Sequence, residues 1–178
     1  MSVVKDRKNR KAWRIVRSLL LTTASLIMMA WIFSNSLQVG NQSAEQSSRV
    51  TIWVQKVFRV FAPNGFVANA TGKDFAKLHD VIRSLAHFAE FGLLGALFGW
   101  TCLSYTGKVG YFLFTALLIV LVPIADELLQ MYTPGRGAEL KDVLIDTAGG
   151  LSGMLFAWLT VWIGKSIARK KKRKKEKE

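Results

Sequence analysis

Arg83, His87 and Glu90 stand at i, i+4 and i+7, so a helix would carry all three on one face. A histidine beside a glutamate is the pairing a general base and its orienting carboxylate require, which makes His87 and Glu90 the candidate catalytic residues. Further along, Asp126 and Gln130 share a face with Pro123, and Glu127 sits on its shoulder. Neighbouring carboxylates are oxygen ligands of the kind a hard divalent cation such as Mg²⁺ takes, so Asp126 and Glu127 are the candidate metal ligands. Asp142 and Asp146 fall on a third face with Gly149, Gly153 and Ala157. Arg136 lies within Thr133-Pro134-Gly135-Arg136-Gly137, a tight turn. Arginine pairs with phosphate or carboxylate, and a carboxylate cluster holds an ammonium or a metal-bridged phosphate. Arg83, His87, Glu90, Asp126, Glu127, Gln130, Arg136, Asp142 and Asp146 are therefore the candidate ligand-binding residues.

The elements that must position these residues are apolar. Uncharged apolar runs occupy 18–33, 91–106, 109–125 and 147–164. At ~1.5 Å per residue each reaches ~24–27 Å, short of a hydrocarbon core of ~30 Å. Each run must therefore draw in its flanks, giving spans at about 14–34, 85–106, 109–130 and 143–164. Three of those flanks hold the ionisable residues above, and charge at membrane depth is costly unless paired or wetted. The expected fold is an all-α membrane protein: a four-helix transmembrane bundle over 18–165, between a basic stretch at 1–17 and a basic tail at 166–178.

Charge supplies the orientation. The formal net charge is +13, of which residues 1–17 carry +6 and residues 165–178 carry +7. Between them nine basic and nine acidic residues cancel. A phosphate-tracking groove needs basic residues over a folded surface, so no nucleic-acid partner is expected. Two basic flanks on apolar segments instead place both termini in the cytoplasm of a multi-pass cell-membrane protein. Residues 35–84 and 130–142 then lie outside, and the Tyr105–Lys108 link lies inside. A basic stretch before a short apolar run also describes a signal peptide, but Ser34-Asn35-Ser36-Leu37 offers no A-x-A-like cleavage site, so the first span is expected to be retained.

The loop over 35–84 carries an amphipathic helix at about 45–61. Val50, Trp53, Val54, Val57, Phe58 and Phe61 share one face and Arg49, Gln55, Lys56 and Arg59 the other. Such a helix is expected to lie on the outer membrane surface or to cap the bundle, ending at Pro63-Asn64-Gly65. In the second span Gly92, Gly95, Ala96 and Gly99 lie opposite the polar face, and Gly149-xxx-Gly153 repeats the pattern in the fourth; small residues allow close helix packing. Cys102, the single cysteine, is expected to be core filler. The polar set converges on the outer end. With His87 neutral its five carboxylates exceed Arg83 and Arg136 by three charges, so protons or a bound cation must balance it.

Taken together, these stretches resemble a known family. Arg83-Ser-Leu-Ala-His87-Phe-Ala-Glu90-Phe-Gly-Leu-Leu-Gly95 resembles the second-span motif of the VanZ-like family. So do Asp126-Glu127-Leu-Leu-Gln130-Met-Tyr-Thr-Pro134-Gly-Arg136 and Asp142-Val-Leu-Ile-Asp146-Thr-Ala-Gly149-Gly-Leu-Ser-Gly153. Ile32-Phe33-Ser34-Asn35-Ser36, with Ser43 and Ser47-Ser48 downstream, is similar to that family's first-span exit. The resemblance runs from about residue 15 to 165. It departs at Asp146, a position more often Asn, and at Phe91, commonly Tyr. It implies a small bacterial membrane protein related to an accessory protein associated with low-level teicoplanin resistance.

Two functions are expected from the residues and the resemblance together. The first is a non-catalytic envelope protein whose outer-leaflet polar site binds membrane lipid, a lipid-linked cell-wall precursor head group or a lipoglycopeptide, lowering susceptibility to teicoplanin-type drugs. The alternative is a membrane-embedded metal-dependent enzyme acting on lipid-linked phosphates. Against catalysis stand the lack of a nucleophile motif, of HExxH and of a Gly-rich phosphate loop. Transport by alternating access fits four short helices poorly unless the chain oligomerises.

Overall fold

A computed structural model describes residues 2–105 and 109–176 of the 178-residue chain. The link expected at Tyr105–Lys108 lies, beyond Tyr105, outside the described residues. Six helices follow one another: α1 (Ser2–Ser36), α2 (Gly40–Phe61), α3 (Phe66–Asn69), α4 (Gly72–Tyr105), α5 (Val109–Met131) and α6 (Leu140–Lys175), with no strand among the described residues. Four contain stretches long and apolar enough to cross a membrane: Lys11–Ser36, Gly72–Tyr105, Tyr111–Met131 and Leu140–Lys174. Large apolar side chains are exposed along all four, including Leu20, Leu93, Leu113 and Trp162. A helix satisfies its own backbone groups, so only lipid is a suitable solvent for such a surface. The chain is a multi-pass membrane protein, and the four-helix expectation agrees with the structure.

The bundle is organised around α4, which packs against α1, α2, α5 and α6. Its tightest contact is with α6, where glycines let the two backbones meet. A Cβ on Gly95 would run into the Gly150 carbonyl, and one on Gly153 into the Gly92 carbonyl. Phe91 and Leu94 on α4 fill the space between Ile32 of α1 and Val122 of α5, with Met28, Met29, Phe33 and Phe98 around them. Cys102 is buried in the same helix. Hydroxyls add polar links that the apolar pattern did not disclose. Ser18 and Ser104 share a hydrogen bond of 2.9 Å, and the Trp100 indole donates to Thr160 Oγ1 at 3.0 Å. Such bonds hold helices together where lipid offers no hydrophobic drive between them.

Helix α2 shows which side of the amphipathic stretch meets the rest of the chain. The face it turns to the protein is polar: Thr51 and Gln55 are buried, while Trp53 and Phe61 are 64% and 83% exposed. The reason is backbone demand. Helix α3 is a single turn, and the carbonyls around it need donors. Gln55 Nε2 donates to the carbonyls of Val67 and Ala70, and Arg59 Nε donates to that of Ala68. Capping therefore falls to the polar side, and the apolar side is left facing away from the protein. Gln55→Leu should leave two carbonyls without their donor, a local cost of about 1–3 kcal/mol. Hydrogen exchange should rise over residues 66–71 while α6 stays protected. Unchanged protection in that turn would contradict this reading.

Candidate functional site

The site forms where α1 ends, α2 and α6 begin, and α4 passes between them. Helix α5 ends at Met131 because Thr133-Pro134 cannot continue it. Gly135 then takes a φ of 76°, the left-handed region that glycine tolerates best. That turn sits directly on the start of α2: the Gly40 N–H donates to the Pro134 carbonyl at 3.0 Å, and a Cβ on Gly40 would strike the Gly135 carbonyl.

The turn carries Arg136 over the end of α1. Its Nη1 donates to the carbonyls of Ser36 (3.2 Å) and Asn35 (3.4 Å), and its Nη2 to Ser43 Oγ at the start of α2. Both carbonyls belong to the last turn of α1, where a cation is favoured by the helix dipole, and that of Asn35 also accepts the Gln38 N–H. Burial pulls the Arg136 pKa below its ordinary value, and repulsion from Arg83 adds to this; Asp126, Glu127 and Asp142 act in the opposite sense. A guanidinium nevertheless remains charged at neutral pH.

Asp126, Glu127, Gln130 and Asp146 are all buried, with exposures of 0%, 3%, 1% and 0%. Asp126 accepts hydrogen bonds from Ser36 Oγ and from Gln130 Nε2, one on each oxygen. Glu127 Oε2 accepts the backbone N–H of Glu139 at 2.8 Å, which ties the end of α5 to the start of α6. His87 Nδ1 stands 3.4 Å and 3.5 Å from the two oxygens of Asp146. The histidine thus faces Asp146, and not the Glu90 that its own helix offers. Arg83 approaches Asp142 at 3.7 Å across the α4–α6 contact. Two residues of the polar face of α4 thus reach the helix on which its glycine face packs, while the same face borders α1 and α2 across a cavity.

Arg83, His87, Glu90, Asp126 and Arg136 line one cavity of about 110 Å³, with Phe91 at its apolar wall. A second cavity of about 200 Å³ shares Arg83 and Arg136 and adds His79 and Glu139. Glu127, Gln130, Asp142 and Asp146 line neither: the first two and Asp146 are buried behind Asp126, and Asp142 pairs with Arg83. Ser36, Asn35, Ser43, Ser47 and His79 were absent from the expected site. A cluster of serines after the first span was their signal, whereas His79 has none beyond lying one turn before Arg83. The arrangement presents two cations and several hydroxyls at the mouth, and carboxylates with an oriented imidazole beneath.

Comparison with known proteins gives one match. A family model described as VanZ/LLP1 matches residues 21–162, which includes every residue of this site. No curated protein and no solved structure matches the chain.

Proposed function

Because the chain belongs to the VanZ/LLP1 family over most of its length, we propose that it is a cell-envelope protein whose polar cavity binds the head group of a lipid or a lipid-linked cell-wall precursor. The observation that carries this reading is the pairing of Arg83 and Arg136 on both cavities at one end of a bundle of apolar spans. Two guanidinium groups at the rim of a membrane protein suit a phosphate that arrives from the lipid side. The hydroxyls of Ser43 and Ser47 and the carboxylates of Glu90 and Asp126 suit the hydroxyl or ammonium groups such a head group carries. Basic tails hold both termini in the cytoplasm of the cell membrane, which puts the cavity at the outer leaflet. A protein that occupies precursor head groups there would reduce the access of teicoplanin-type lipoglycopeptides to them.

The test uses the full chain in nanodiscs, titrated with an undecaprenyl-phosphate-type lipid and read by native mass spectrometry. Arg83 is the informative residue, since it is partly exposed and its contact with Asp142 is long. Arg83→Gln should weaken capture by about tenfold, the effect of losing about 1.4 kcal/mol of charge-assisted binding. Equal capture by both chains would refute the reading, as would equal teicoplanin tolerance of cells expressing either at matched abundance.

One observation favours a second reading, a metal-dependent enzyme acting on lipid-linked phosphates. His87 lines the cavity and is oriented by a buried carboxylate, the arrangement of a general base. Turnover of a lipid phosphate that disappears in His87→Ala would select it over simple binding.

A further inference from the structure

Where Asp126 forms the wall of the cavity, three carboxylates from two helices meet. One oxygen from each of Asp126, Glu127 and Asp146 lies within 4.8 Å of the others. All three side chains are buried. Two of their oxygens, Glu127 Oε1 and Asp146 Oδ1, find no hydrogen-bond partner among the described residues. A buried carboxylate oxygen without a donor costs free energy, and three acidic groups this close repel one another. The cations nearby are engaged elsewhere, Arg136 on the end of α1 and Arg83 towards Asp142. His87 approaches the trio through Asp146.

We infer that Asp126, Glu127 and Asp146 form a binding site for a hard divalent cation. The donor set is oxygen alone, which selects Ca²⁺, Mn²⁺ or Mg²⁺ over softer metals. Oxygens bound to one such ion at ~2.0–2.6 Å stand at most ~4.0–5.2 Å apart, and three that lie within 4.8 Å of one another are near enough for a single ion to bridge them. The two unpartnered oxygens become ligands, and the ion offsets two of the trio's three negative charges. Ser36 and Gln130 orient Asp126, the Glu139 N–H orients Glu127, and His87 orients Asp146. Such outer partners fix ligand direction in metal sites. The ion would also join α5 to α6 at the level where the cavity wall needs to be rigid.

Mn²⁺ is a suitable probe, because it accepts the same oxygen ligands and its free form is counted by electron paramagnetic resonance. The full chain in phosphatidylcholine nanodiscs should take up one Mn²⁺ per chain, displaced by Ca²⁺. Glu127→Gln and Asp146→Asn should each weaken uptake by about a hundredfold, since losing a ligand costs at least as much as losing its outer partner. Arg83→Gln should retain it. Failure to bind Mn²⁺ at millimolar concentration, or equal uptake by all variants, would overturn the site in favour of carboxylates that share protons. Should one carboxamide variant fail to fold, the other and the wild-type stoichiometry still decide. The result is separable from head-group binding: loss of Mn²⁺ uptake with lipid capture intact removes the cation alone, and the reverse removes the lipid alone.

Discussion

Gly153→Leu should prevent α4 and α6 from closing, with a loss of stability above about 3 kcal/mol, the upper range for overpacking. The reason is that the obstacle is backbone. Even a Cβ at 153 would run into the Gly92 carbonyl, and Gly95 stands in the same relation to Gly150. A flexible side chain could rotate aside; a helix backbone moves only by displacing the whole helix. Displacement would also separate His87 from Asp146 and Arg83 from Asp142, because both contacts cross that seam. The variant should elute as aggregate or unfold at much lower denaturant in bicelles. Gly164→Ala is the matched control, since nothing lies within 4 Å of a Cβ there. It should be neutral or more stable by up to about 1 kcal/mol, the helix propensity difference. Equal stability of Gly153→Leu and wild type would show that the seam is not close-packed.

The second large effect is expected at Arg136. Arg136→Ala should lower stability by about 2 kcal/mol and abolish measurable capture of a lipid phosphate. The stability loss follows from the carbonyls of Asn35 and Ser36, which end α1 and lose their cationic donor. Thr133 Oγ1 also donates to Ser36 and the Gln38 N–H to Asn35, so both carbonyls retain a partner and the chain should still fold. Lysine at 136 keeps the charge but lacks the fork that reaches both α1 and Ser43. Arg136→Lys should therefore recover much of the binding and less of the stability. Thermal unfolding in nanodiscs beside lipid capture checks both quantities. If alanine and lysine variants behave alike in both, charge at this position has no part in binding.

Much of the architecture was legible because its signals are local. Hydropathy over 16–18 residues marks a span whatever surrounds it, and the 3.6-residue period puts Arg83 with His87, and Asp142 with Asp146 and Gly149, on common faces. Residue size alone implied that some helix would approach Gly92 and Gly95 closely; that the helix is α6 was not legible. Partners were harder to read. His87 and Glu90 are near in sequence, yet the imidazole faces Asp146, 59 residues away, because α6 crosses α4 beside that face. Serines after the first span are unremarkable polar residues until Ser36 is seen donating to Asp126. The apolar stripe of α2 was visible, but the need of the α3 turn for donors, which turns Gln55 and Arg59 inward, was not.

By itself, then, the sequence determined a multi-pass helical membrane protein with acidic residues and two arginines near the ends of its spans. Only the tertiary structure decided that Asp126, Glu127 and Asp146 converge, that Arg136 bonds the end of α1 and Arg83 approaches Asp142, and that α2 turns its polar side inward. The division has a physical cause. Periodicity and hydropathy are properties of neighbours along the chain, whereas hydrogen-bond pairing depends on the crossing geometry of helices that meet through glycine contacts far apart in sequence.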